Sequence, residues 1–593
     1  MKNLITTLFA VLLLVQAGCG ESKKSTQTAE KSQSTAPAKL TALRENEAWW
    51  KEAVVYQVYP RSYKDSNGDG VGDLRGLISK LDYIKSLGVN VIWLNPIYGS
   101  PNDDNGYDIS DYRAIMKDFG TMADFDELLK GMHQRGLKVV LDLVVNHSSD
   151  EHKWFQASKS SRTSPYRDYY HWWPAEKGTP NKRQSFFDVK GDAWAYDAAT
   201  KAYYLHYFSR KQPDLNWENP KLRQEVYGLM RFWLDKGIDG FRMDAFQFAS
   251  KDPSFPVLPV GYEKDIIKYY GHGPHLHDYL QEMNREVLGK YSVMTVAEGA
   301  GSGPTDAMLF VDPARRELNM AYHFEGMDIG NGPNGYKLTD FKRVYTRWDS
   351  AFAQKGWLSI FLANHDVPRM VSKFGDDRPE FRSVSAKLLT TFILSMRGTP
   401  YYYNGDELGM TNIRFDNIDD YRDVATINGY QQVKNQGGDL AAFLATAKRM
   451  ARDNCRTPFQ WDASAQAGFT TGLPWLKINP NYPQVNAAAE EKDPASALNY
   501  FRKATAVRQQ HKVLVYGQYH LLDKANPHIY AYTRTLGKEK ALVVLNFSSE
   551  KRTWALPGGL TLNGTPWLNN YPTFVPTATL ALQPWQAVVV PLR

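Results

Sequence analysis

Cysteine is almost absent from this sequence of 593 residues, which contains only Cys19 and Cys455. Because Cys19 lies at the end of an apolar leader, a framework of internal disulfides is excluded. Long basic runs are also absent, and 71 basic against 64 acidic residues give a formal charge of only +7. A charge this weak, spread over such a length, argues against a nucleic-acid-binding protein.

The apolar run near the N-terminus is too short for a membrane-spanning helix. Lys2 is followed by an apolar run at 4–17, about 14 residues where a span needs about 20, which predicts a signal peptide. The run ends in VQAGC, which resembles the lipobox of bacterial lipoproteins except at Gln16, where Leu is usual. We therefore expect residues 1–19 to direct export and Cys19 to carry a lipid anchor in the cell envelope, at the periplasmic face or the outer membrane. Ordinary cleavage with a free Cys19 is the alternative.

Aromatic residues are missing from 20–48, a segment rich in Ser, Thr, Lys, Glu and Ala. Such a composition cannot bury enough apolar surface to fold, so we predict a flexible tether. From Trp49 onward the composition changes, and over the whole sequence 43% of residues are hydrophobic and 13% aromatic. The remaining chain is therefore expected to be globular, with one large domain and at least one appended domain.

Eight apolar runs after Trp49 are typical of buried strands. Helical patterns lie between several of them, such as the stripe formed by Phe125, Leu128, Leu129 and Met132. Strands that alternate with helices eight times predict an α/β fold, a (β/α)₈ TIM barrel. The predicted strands are 54–59, 89–94, 137–145, 238–243, 293–297, 320–324, 358–362 and 399–403.

Two segments do not fit the alternation of the barrel. Residues 148–216, rich in Trp, Tyr and Pro, follow the third strand and are expected to form an inserted subdomain over the active-site face. After 513 the helical pattern stops, and short apolar runs separated by Gly, Pro and Asn predict a C-terminal antiparallel β-sandwich domain over 513–593. The catalytic barrel is then expected to comprise 49–147 and 217–512.

Polar residues interrupt the apolar strands near their C-terminal ends. A carboxylate at a strand end often caps a helix or pairs with arginine, so each group alone has a structural explanation. Four such groups on the same rim favour an active site, because barrel enzymes carry their chemistry on the loops after the strands. The groups are Asp142, Asn146 and His147 at the third strand, Arg242 and Asp244 at the fourth, Glu298 at the fifth, and Asn364, His365 and Asp366 at the seventh.

In order and spacing, these residues resemble the α-amylase superfamily of glycoside hydrolases (family 13), from about Trp49 to the end of the chain. The segments 106–113, 405–410 and 452–461 are similar to the branch that contains α-glucosidases, oligo-1,6-glucosidases and sucrose isomerases. The segment QPDLN at 212–216 looks like a further short motif of the family. The resemblance implies an exo-acting enzyme that cleaves terminal α-linked glucose from small oligosaccharides or disaccharides.

The resemblance also implies roles for three carboxylates. Asp244 would be the nucleophile and Glu298 the general acid and base, since cleavage needs an acid on the leaving oxygen and an anion beneath the anomeric carbon. Arg242 lies two residues before Asp244, so both side chains point the same way and Arg242 should keep Asp244 ionised. Asp366 would bind substrate hydroxyls and favour distortion of the ring. Retention is expected, which places the carboxyl groups of Asp244 and Glu298 about 5 to 5.5 Å apart.

Five further residues are candidates for binding the sugar. His147 and His365 would donate to glucose hydroxyls, although a buried histidine more commonly satisfies a backbone carbonyl. Asp108 and Arg452 match family residues that clasp the non-reducing end, and such a charged pair would close the cavity beyond one glucose. Tyr107 would stack on the same sugar or serve only in packing.

A loop rich in Asp and Asn predicts a bound metal ion. The segment DSNGDGVGD places oxygen atoms at alternate positions, with glycines that permit a tight turn. Its twelfth position is Gly76 instead of Glu, so a structural Ca²⁺ is favoured over a helix-loop-helix calcium switch. An Asx-rich turn without an ion is the alternative, and no organic cofactor is expected. The candidate ligands are Asp65, Asn67, Asp69, the carbonyl of Val71, and Asp73.

Linkage preference and reaction type depend on two departures within the branch. Ala245 follows the predicted nucleophile, whereas α-1,6 enzymes commonly carry Val there and α-1,4 enzymes Thr or Ala, which favours α-1,4 activity. Sucrose isomerases carry a charged loop of the type RLDRD after the sixth strand, and here 327–337 reads MDIGNGPNGYK. Without those arginines we expect water to attack the intermediate, with transglycosylation at high sugar concentration.

Three alternatives to hydrolysis are a sucrose isomerase, a transglucosidase and a catalytically silent sugar-binding homologue. The silent homologue is disfavoured because all three acids are present. We expect a monomer that acts on a small oligosaccharide or disaccharide, binds no nucleic acid and contacts the membrane only through the lipid on Cys19.

Overall fold

The computed structural model describes residues 49–299, 301, 303–332 and 335–593. The predicted signal peptide, the lipid-bearing Cys19 and the tether at 20–48 lie outside the described residues. Among the helices that are described, none combines the length and the apolar character that crossing a membrane requires.

The strands comprise eight of the barrel, five short ones on its loops and seven near the C-terminus. They are β1 (Val55–Val58), β2 (Val91–Leu94), β3 (Tyr98–Gly99), β4 (Asp111–Ile115), β5 (Lys138–Val144), β6 (Trp172–Pro174), β7 (Trp194–Asp197), β8 (Ala202–Leu205), β9 (Gly240–Asp244), β10 (Met294–Ala297), β11 (Met320–Ala321), β12 (Ser359–Ile360), β13 (Thr399–Tyr403), β14 (Gln518–Leu522), β15 (Ile529–Leu536), β16 (Glu539–Asn546), β17 (Arg552–Ala555), β18 (Leu568–Asn569), β19 (Thr579–Leu582) and β20 (Ala587–Pro591).

The helices surround the barrel and extend the loops after its strands. They are α1 (Leu74–Ile78), α2 (Leu81–Ser86), α3 (Met122–Gln134), α4 (Lys153–Ser160), α5 (Pro220–Lys236), α6 (Ile266–Tyr270), α7 (Leu276–Glu286), α8 (Pro304–Val311), α9 (Phe324–Asp328), α10 (Leu338–Ala351), α11 (Met370–Phe374), α12 (Pro379–Ser395), α13 (Val424–Asn435), α14 (Leu440–Met450), α15 (Asp453–Arg456), α16 (Ala487–Lys492), α17 (Ala497–Gln510) and α18 (Val513–Tyr516).

Eight parallel strands form the predicted barrel. Their order around the sheet is β11, β10, β9, β5, β2, β1, β13 and β12, and a parallel bridge between Ala321 and Leu358 joins its two ends. Each predicted strand is present, so the prediction of a (β/α)₈ barrel is confirmed. Closure brings the C-terminal ends of all eight strands to one rim, which is where barrel enzymes place their catalytic loops.

Burial explains why these segments form strands and their covering helices. Every residue of β1, β2, β9 and β10 is buried, as expected for parallel strands covered on both faces. In α3 the predicted stripe of Phe125, Leu128, Leu129 and Met132 is buried against the sheet. Gly240 begins β9 with φ 155°, and a Cβ there would lie 1.9 Å from the carbonyl oxygen of Met294, so the approach of β10 requires glycine.

The insertion and the C-terminal region each form antiparallel sheets of their own. Strands β6, β8 and β7 form a three-stranded sheet within the insertion at 148–216. Near the C-terminus, β14, β15, β16, β20 and β18 form one sheet and β17 pairs with β19. Side chains of both C-terminal sheets, among them Leu542 and Trp554, share one apolar core, which confirms the predicted antiparallel β domain. Its first strand begins at Gln518, because residues 513–516 form α18.

A long segment follows the eighth barrel strand and returns to the rim. Between β13 and α17 it contains α13, α14 and the short helix α15. The turn before α15 carries Arg452, and α15 ends with Arg456, which is 1% exposed. This segment therefore delivers two arginines to the same rim as the strand-end acids.

Candidate active site

The acids predicted from the sequence meet in one cavity at the rim of the barrel. Its volume is about 250 Å³, slightly below the range of about 300 to 1,000 Å³ that is usual for ligand pockets. Asp244 ends β9, Glu298 follows β10, and Asp366 lies on the loop after β12. The cavity is lined by Asp104, Tyr107, His147, Phe186, Phe187, Phe208, Gln212, Asp244, Ala245, Gln247, Phe248, Ile267, Glu298, Phe324, Met327, His365, Asp366 and Arg452.

Three carboxylates surround the single guanidinium of Arg242. Its Nη1 lies 2.6 Å from Asp142 Oδ1 and 2.5 Å from Asp244 Oδ1, and its Nη2 contacts Glu298 Oε1. The hydroxyl of Tyr322 accepts a hydrogen bond of 3.0 Å from the same guanidinium. We call Arg242, Asp142, Asp244 and Glu298 the acid cluster. One buried cation serves three acids, so the cluster carries an excess of two negative charges when all three are ionised.

The excess of acid in the cluster favours bound protons. Burial raises the pKa of Asp244 well above its ordinary value; Arg242 opposes that shift, while Glu298 and Asp142 reinforce it. Burial likewise raises the pKa of Asp142 to about 6, again against the attraction of Arg242. For Asp244 this direction is opposite to the one expected from the sequence, because removal from water outweighs the charge of one shared arginine.

A strained turn follows Asp244 and fixes its neighbour Glu298. Ala245 has φ 46°, in the left-handed region that residues with a side chain rarely adopt. The backbone N–H of Ala245 donates a hydrogen bond of 2.9 Å to Glu298 Oε2. The turn therefore positions both acids through one peptide group.

A third carboxylate of the cavity lining, Asp366, is contacted by two arginines and a histidine. Arg456 Nη2 lies 2.9 Å and Arg452 Nη1 3.3 Å from Asp366 Oδ1, and His365 Nε2 lies 3.0 Å from Asp366 Oδ2. Burial alone would raise the pKa of Asp366, but His365 and the two arginines together hold it below its ordinary value. Asp366 is therefore an ionised acceptor. We call Asp366, His365, Arg452 and Arg456 the arginine cluster.

The predicted sugar-binding residues His147, His365 and Tyr107 line the cavity. Burial lowers the pKa of His147 to about 4 and lowers the pKa of His365 well below its usual value, so both rings are neutral. His147 Nε2 lies 3.0 Å from the carbonyl oxygen of Tyr107. The Tyr107 ring is stacked on that of His365, with centroids 5.2 Å apart and planes inclined by 4°. Tyr107 therefore packs against a side chain as well as facing the cavity.

Asp108 does not lie at the cavity, and Asp104 takes the place predicted for it. The carboxylate of Asp108 is 0% exposed and accepts hydrogen bonds from Ser100 Oγ and from two backbone N–H groups of its own loop. Asp104 instead lies 3.1 Å from Arg452 Nη2 and accepts 3.0 Å from Gln212 Nε2. The charged pair that closes the cavity is Asp104 with Arg452, which corrects the sequence-based assignment of Asp108.

Several lining residues were not singled out from the sequence. Gln212 opens the segment QPDLN, but its side chain was given no role. Asp142, which contacts Arg242 without lining the cavity, was noted only as a break in an apolar strand. The insertion contributes an aromatic wall of Phe186, Phe187 and Phe208, and Arg452 lies 4.9 Å from the centroid of Phe187. The high aromatic content of the insertion was the available signal, but it did not indicate which rings face the cavity.

The predicted metal loop packs tightly against the segment around Leu473. A Cβ on Gly70 would lie 1.7 Å from the carbonyl oxygen of Leu473, and Asp65 accepts a hydrogen bond from Thr470 Oγ1. Asp65 is 3% exposed, and Asn67 and Asp69 accept backbone N–H groups two residues ahead. No ion pair to Asp65, Asp69 or Asp73 occurs among the described residues. The oxygens of Asp65 and Asp73 also accept hydrogen bonds within the loop, and among the described residues Asp65, Asp69 and Asp73 do not bring three carboxylate oxygens within 4.8 Å of one another. The donor types suit a hard cation, and the bound ion stays a prediction.

A different acidic group lies beside the insertion. Asp103, Asp150 and Glu151 bring three oxygen atoms within 4.8 Å of one another. Lys211 Nζ lies 3.6 Å from Asp150 and 3.8 Å from Asp103, so a side chain already supplies positive charge there.

Two family models match the chain. Residues 57–517 match the model described as alpha amylase, catalytic domain. Residues 529–589 match the model described as the C-terminal domain of the alpha-amylase SusG. The boundary between the two matches falls near the start of β14, where the antiparallel sheets begin.

Curated relatives and solved structures match nearly the whole chain. An oligo-1,6-glucosidase of Parageobacillus thermoglucosidasius is 52% identical over 92% of this chain and 99% of its own, and one of Bacillus cereus is 48% identical over the same shares. The crystal structure of isomaltulose synthase from Klebsiella sp. LX3 is 46% identical, covers 92% of this chain and 100% of its own, and has a TM-score of 0.90. The trehalulose synthase of Pseudomonas mesoacidophila MX-45 has a TM-score of 0.89 at 46% identity, over 92% of this chain and 99% of its own.

Proposed function

The chain belongs to the α-amylase family of glycoside hydrolases and is an α-glucosidase, and we propose that it removes one terminal glucose at a time with retention of configuration. The observation that carries this proposal is the pair of Asp104 and Arg452 at the cavity that holds Asp244 and Glu298. A charged pair across one end leaves room for a single non-reducing glucose and none for a longer chain.

The first step of the proposed reaction cleaves the glycosidic bond. Asp244 attacks the anomeric carbon, and Glu298 donates its proton to the leaving oxygen as the bond breaks. The contacts of Arg242 with both carboxylates support this assignment, because one guanidinium holds the nucleophile and the acid on the same side of the cavity. Asp366, kept ionised by the arginine cluster, accepts hydrogen bonds from ring hydroxyls.

In the second step water replaces the leaving group. Glu298, now a carboxylate, removes a proton from water, and the resulting attack on the anomeric carbon releases glucose and restores Asp244. The stereochemistry tests this sequence directly. Proton NMR of the first product should show α-glucose before mutarotation, and β-glucose as the first product would contradict the proposal.

We propose that the enzyme cleaves both α-1,6 and α-1,4 bonds. The names of the relatives from Parageobacillus and Bacillus support α-1,6 activity. Ala245 supports α-1,4 activity, since it lines the cavity directly after the nucleophile and presents only a methyl group. A small side chain at this position leaves space for leaving sugars that approach at different angles.

Kinetics on a pair of disaccharides test the linkage proposal. The values of kcat/KM for isomaltose and maltose should agree within about tenfold, and Ala245→Val should lower maltose cleavage more than isomaltose cleavage by about 10-fold, the effect of a methyl or two. The matched control is Ala249→Val, on the same loop but outside the cavity lining. A wild-type ratio above about 100 in either direction would contradict a dual specificity.

Sucrose isomerisation is the second candidate activity, favoured by the solved structures of isomaltulose and trehalulose synthases. Against it stands the loop at 327–337, which contains no arginine and is held through carbonyl oxygens by Lys373 and Arg449. Incubation with sucrose and chromatography of the products distinguishes the two. Glucose and fructose support hydrolysis, and a rearranged disaccharide supports isomerisation.

We propose that Asp65, Asn67, Asp69, the Val71 carbonyl and Asp73 hold one Ca²⁺. The ion would neutralise three carboxylates and fasten this loop to the segment around Leu473, so its contribution is to stability. Elemental analysis of protein dialysed against calcium-free buffer should find about one calcium per chain, and EDTA should lower the melting temperature. The variant Asp69→Ala should lose the metal, whereas Asp252→Ala in an exposed turn should keep it.

We propose that the chain is exported, anchored through a lipid on Cys19, and monomeric. The VQAGC sequence after an apolar leader supports the anchor. Mass spectrometry of the full-length protein expressed in a bacterium should show acylation of Cys19 that Cys19→Ser abolishes. Light scattering of the protein without its first 48 residues tests the monomer, since unit 48–593 forms a compact body of its own.

A further inference from the structure

Four hydrogen bonds and one close contact join Asp142 of the acid cluster to Asp366 of the arginine cluster through four buried side chains. Gln57 lies in the middle of this hydrogen-bonded chain on β1, far in sequence from either acid. The hydrogen bonds are Tyr107 Oη to Asp142 Oδ2 at 3.3 Å, Asn95 Nδ2 to Tyr107 Oη at 2.8 Å, Gln57 Nε2 to Asn95 Oδ1 at 2.9 Å, and Gln57 Nε2 to His365 Nδ1 at 2.8 Å. At the end of the chain His365 Nε2 lies 3.0 Å from Asp366 Oδ2.

The direction of these bonds follows from their two ends. An ionised carboxylate can only accept hydrogen bonds. Asp142 already accepts from Arg242 and from Trp93 Nε1, and Asp366 faces two arginines. Both ends of the chain are therefore acceptors, and one interior group must donate to both of its neighbours.

Gln57 is the group that donates twice. Tyr107 receives and gives through one hydroxyl, Asn95 receives on its oxygen and gives from its nitrogen, and a neutral histidine has one N–H and one bare nitrogen. The single Nε2 of Gln57 contacts both Asn95 and His365, and an amide nitrogen carries two hydrogens. The donors and acceptors therefore match along these bonds.

We propose that Gln57 is a positioning residue that sets the tautomer of His365, with the proton on Nε2 and a bare Nδ1. His365 then offers an N–H to Asp366 and to the cavity, while Gln57 itself does not line the cavity. The other direction of Gln57, with its amide oxygen toward both neighbours, requires a proton on Asp142 and a second proton on His365. Burial lowers the pKa of His365, which disfavours that second state.

Neutron diffraction of the wild-type protein tests the tautomer without reference to activity. The expected map shows deuterium on His365 Nε2, none on His365 Nδ1, and two deuterons on Gln57 Nε2. Deuterium on His365 Nδ1 would overturn the inference. Since the functional consequence rests on the proposed site, this measurement separates an error in the hydrogen-bond assignment from an error in the proposed function.

The substitution Gln57→Glu reverses the donor at the centre of the chain. The introduced carboxylate accepts from Nδ1–H, which leaves a bare Nε2 facing Asp366 in the neutral ring. Protonation of the ring restores Nε2–H. In the variant the introduced carboxylate raises the pKa of His365 above its wild-type value, so the ratio of variant to wild-type kcat/KM should rise as the pH falls through that pKa. We expect a loss of about 100-fold near pH 8 that shrinks to about tenfold near pH 5.

The charged groups that face His365 are Asp366, Arg242, Arg452 and Arg456. Forming the ratio to wild type removes the titration that both proteins share. Gln57→Met, which offers neither donor nor acceptor, should lose about tenfold at every pH. The matched control is Gln586→Glu, because Gln586 is 1% exposed in the C-terminal sheets and also donates to an asparagine.

The inference is supported if the ratio of variant to wild-type kcat/KM depends on pH for Gln57→Glu and is constant with pH for Gln57→Met and Gln586→Glu. A flat ratio for Gln57→Glu, or full activity of Gln57→Met, overturns it. If circular dichroism shows that Gln57→Glu does not fold, the neutron map of the wild type decides.

Discussion

Asp244 and Asp366 face the same cavity, but their surroundings shift their pKa values in opposite directions. In the acid cluster one arginine serves three carboxylates, and burial raises the pKa of Asp244. In the arginine cluster two guanidinium groups contact Asp366 and His365 lies beside it, and together they hold the pKa of Asp366 below its ordinary value in spite of burial. The number of cations that contact each carboxylate, more than its depth of burial, therefore decides the direction in which its pKa shifts.

The largest effect is expected from removal of the nucleophile in the acid cluster. Asp244→Asn should lower kcat by about 10⁴-fold or more, because no other carboxylate of the acid cluster can form the covalent intermediate. Single-turnover kinetics with an activated α-glucoside measure this loss. Asp252→Asn, an exposed residue on the loop after β9, is the control and should retain wild-type kcat. Full activity of Asp244→Asn would refute the assigned role.

Removing one arginine from the arginine cluster leaves Asp366, like Asp244, in contact with a single guanidinium group. Arg452→Met takes away one of the two guanidinium groups at Asp366, so the pKa of Asp366 should rise toward its ordinary value and kcat/KM at neutral pH should fall by about 100-fold. The acidic limb of the pH profile should move to higher pH. Arg378→Met, whose arginine is exposed and pairs with Asp376, should change neither. An unmoved acidic limb would contradict the account of Asp366.

The pH dependence of stability distinguishes the two clusters without substrate. The folded-state pKa of Asp142, about 6, lies above its unfolded value of about 3.9, so its contribution is complete below about pH 4 and is lost as the pH rises to 6. Relative to Asp142→Asn, the wild type should lose roughly 2 kcal/mol between about pH 4 and 7. Asp366 has a lowered pKa, so relative to Asp366→Asn the wild type should gain stability as the pH rises from acid values to about 4, above which its contribution is nearly complete.

Urea denaturation of the three proteins from about pH 2.5 to about pH 7 is the measurement. The stability difference for Asp366 should rise with pH below about pH 4 and then level off, whereas the difference for Asp142 should fall with pH above about pH 4. Equal slopes for both variants would show that the two clusters do not differ in the way described.

The smallest effect is expected at the outer end of the cavity. Asp104→Asn leaves Arg452 paired with Asp366 and Asp423, so the cleavage step should be unchanged. The terminal glucose should bind more weakly. We expect KM to rise about tenfold and kcat to stay within about twofold. Steady-state kinetics on maltose provide the measurement, with Asp108→Asn as the comparison. A larger change in KM for Asp108→Asn than for Asp104→Asn would restore the assignment made from the sequence.

The barrel could be predicted because its signal is repeated. The strands are short and mostly apolar, with β-branched residues in β1, β2 and β5, and eight such segments that alternate with helices favour parallel strands buried on both faces. The acids at the strand ends could be predicted from the same strand pattern, since a polar side chain at the C-terminal end of a buried strand must lie at the rim. The registers of Asp244 and Glu298 therefore needed no knowledge of the loops.

The loops could not be predicted in this way. Asp104 and Asp108 lie four residues apart in one segment, and the sequence offers no periodicity that separates them. Positive φ angles at Asn102, Asn105 and Gly106 turn the chain so that Asp104 faces Arg452, while Asp108 accepts the backbone N–H groups of the turn. Burial of the acid cluster was likewise invisible in the spacing of Arg242 and Asp244, so the pKa direction of Asp244 was misjudged.

The ring of strands is thinnest between β11 and β12, which contribute two residues each and meet through the bridge of Ala321 and Leu358. The loops on either side of this seam carry Met327 and Phe324 on one strand's side and His365 and Asp366 on the other. A glucose that contacts the loops on both sides would link β11 and β12 where they pair through a single bridge. Sugar occupancy and resistance to local opening would then rise together, so that an inhibitor could protect the fold as well as block the reaction.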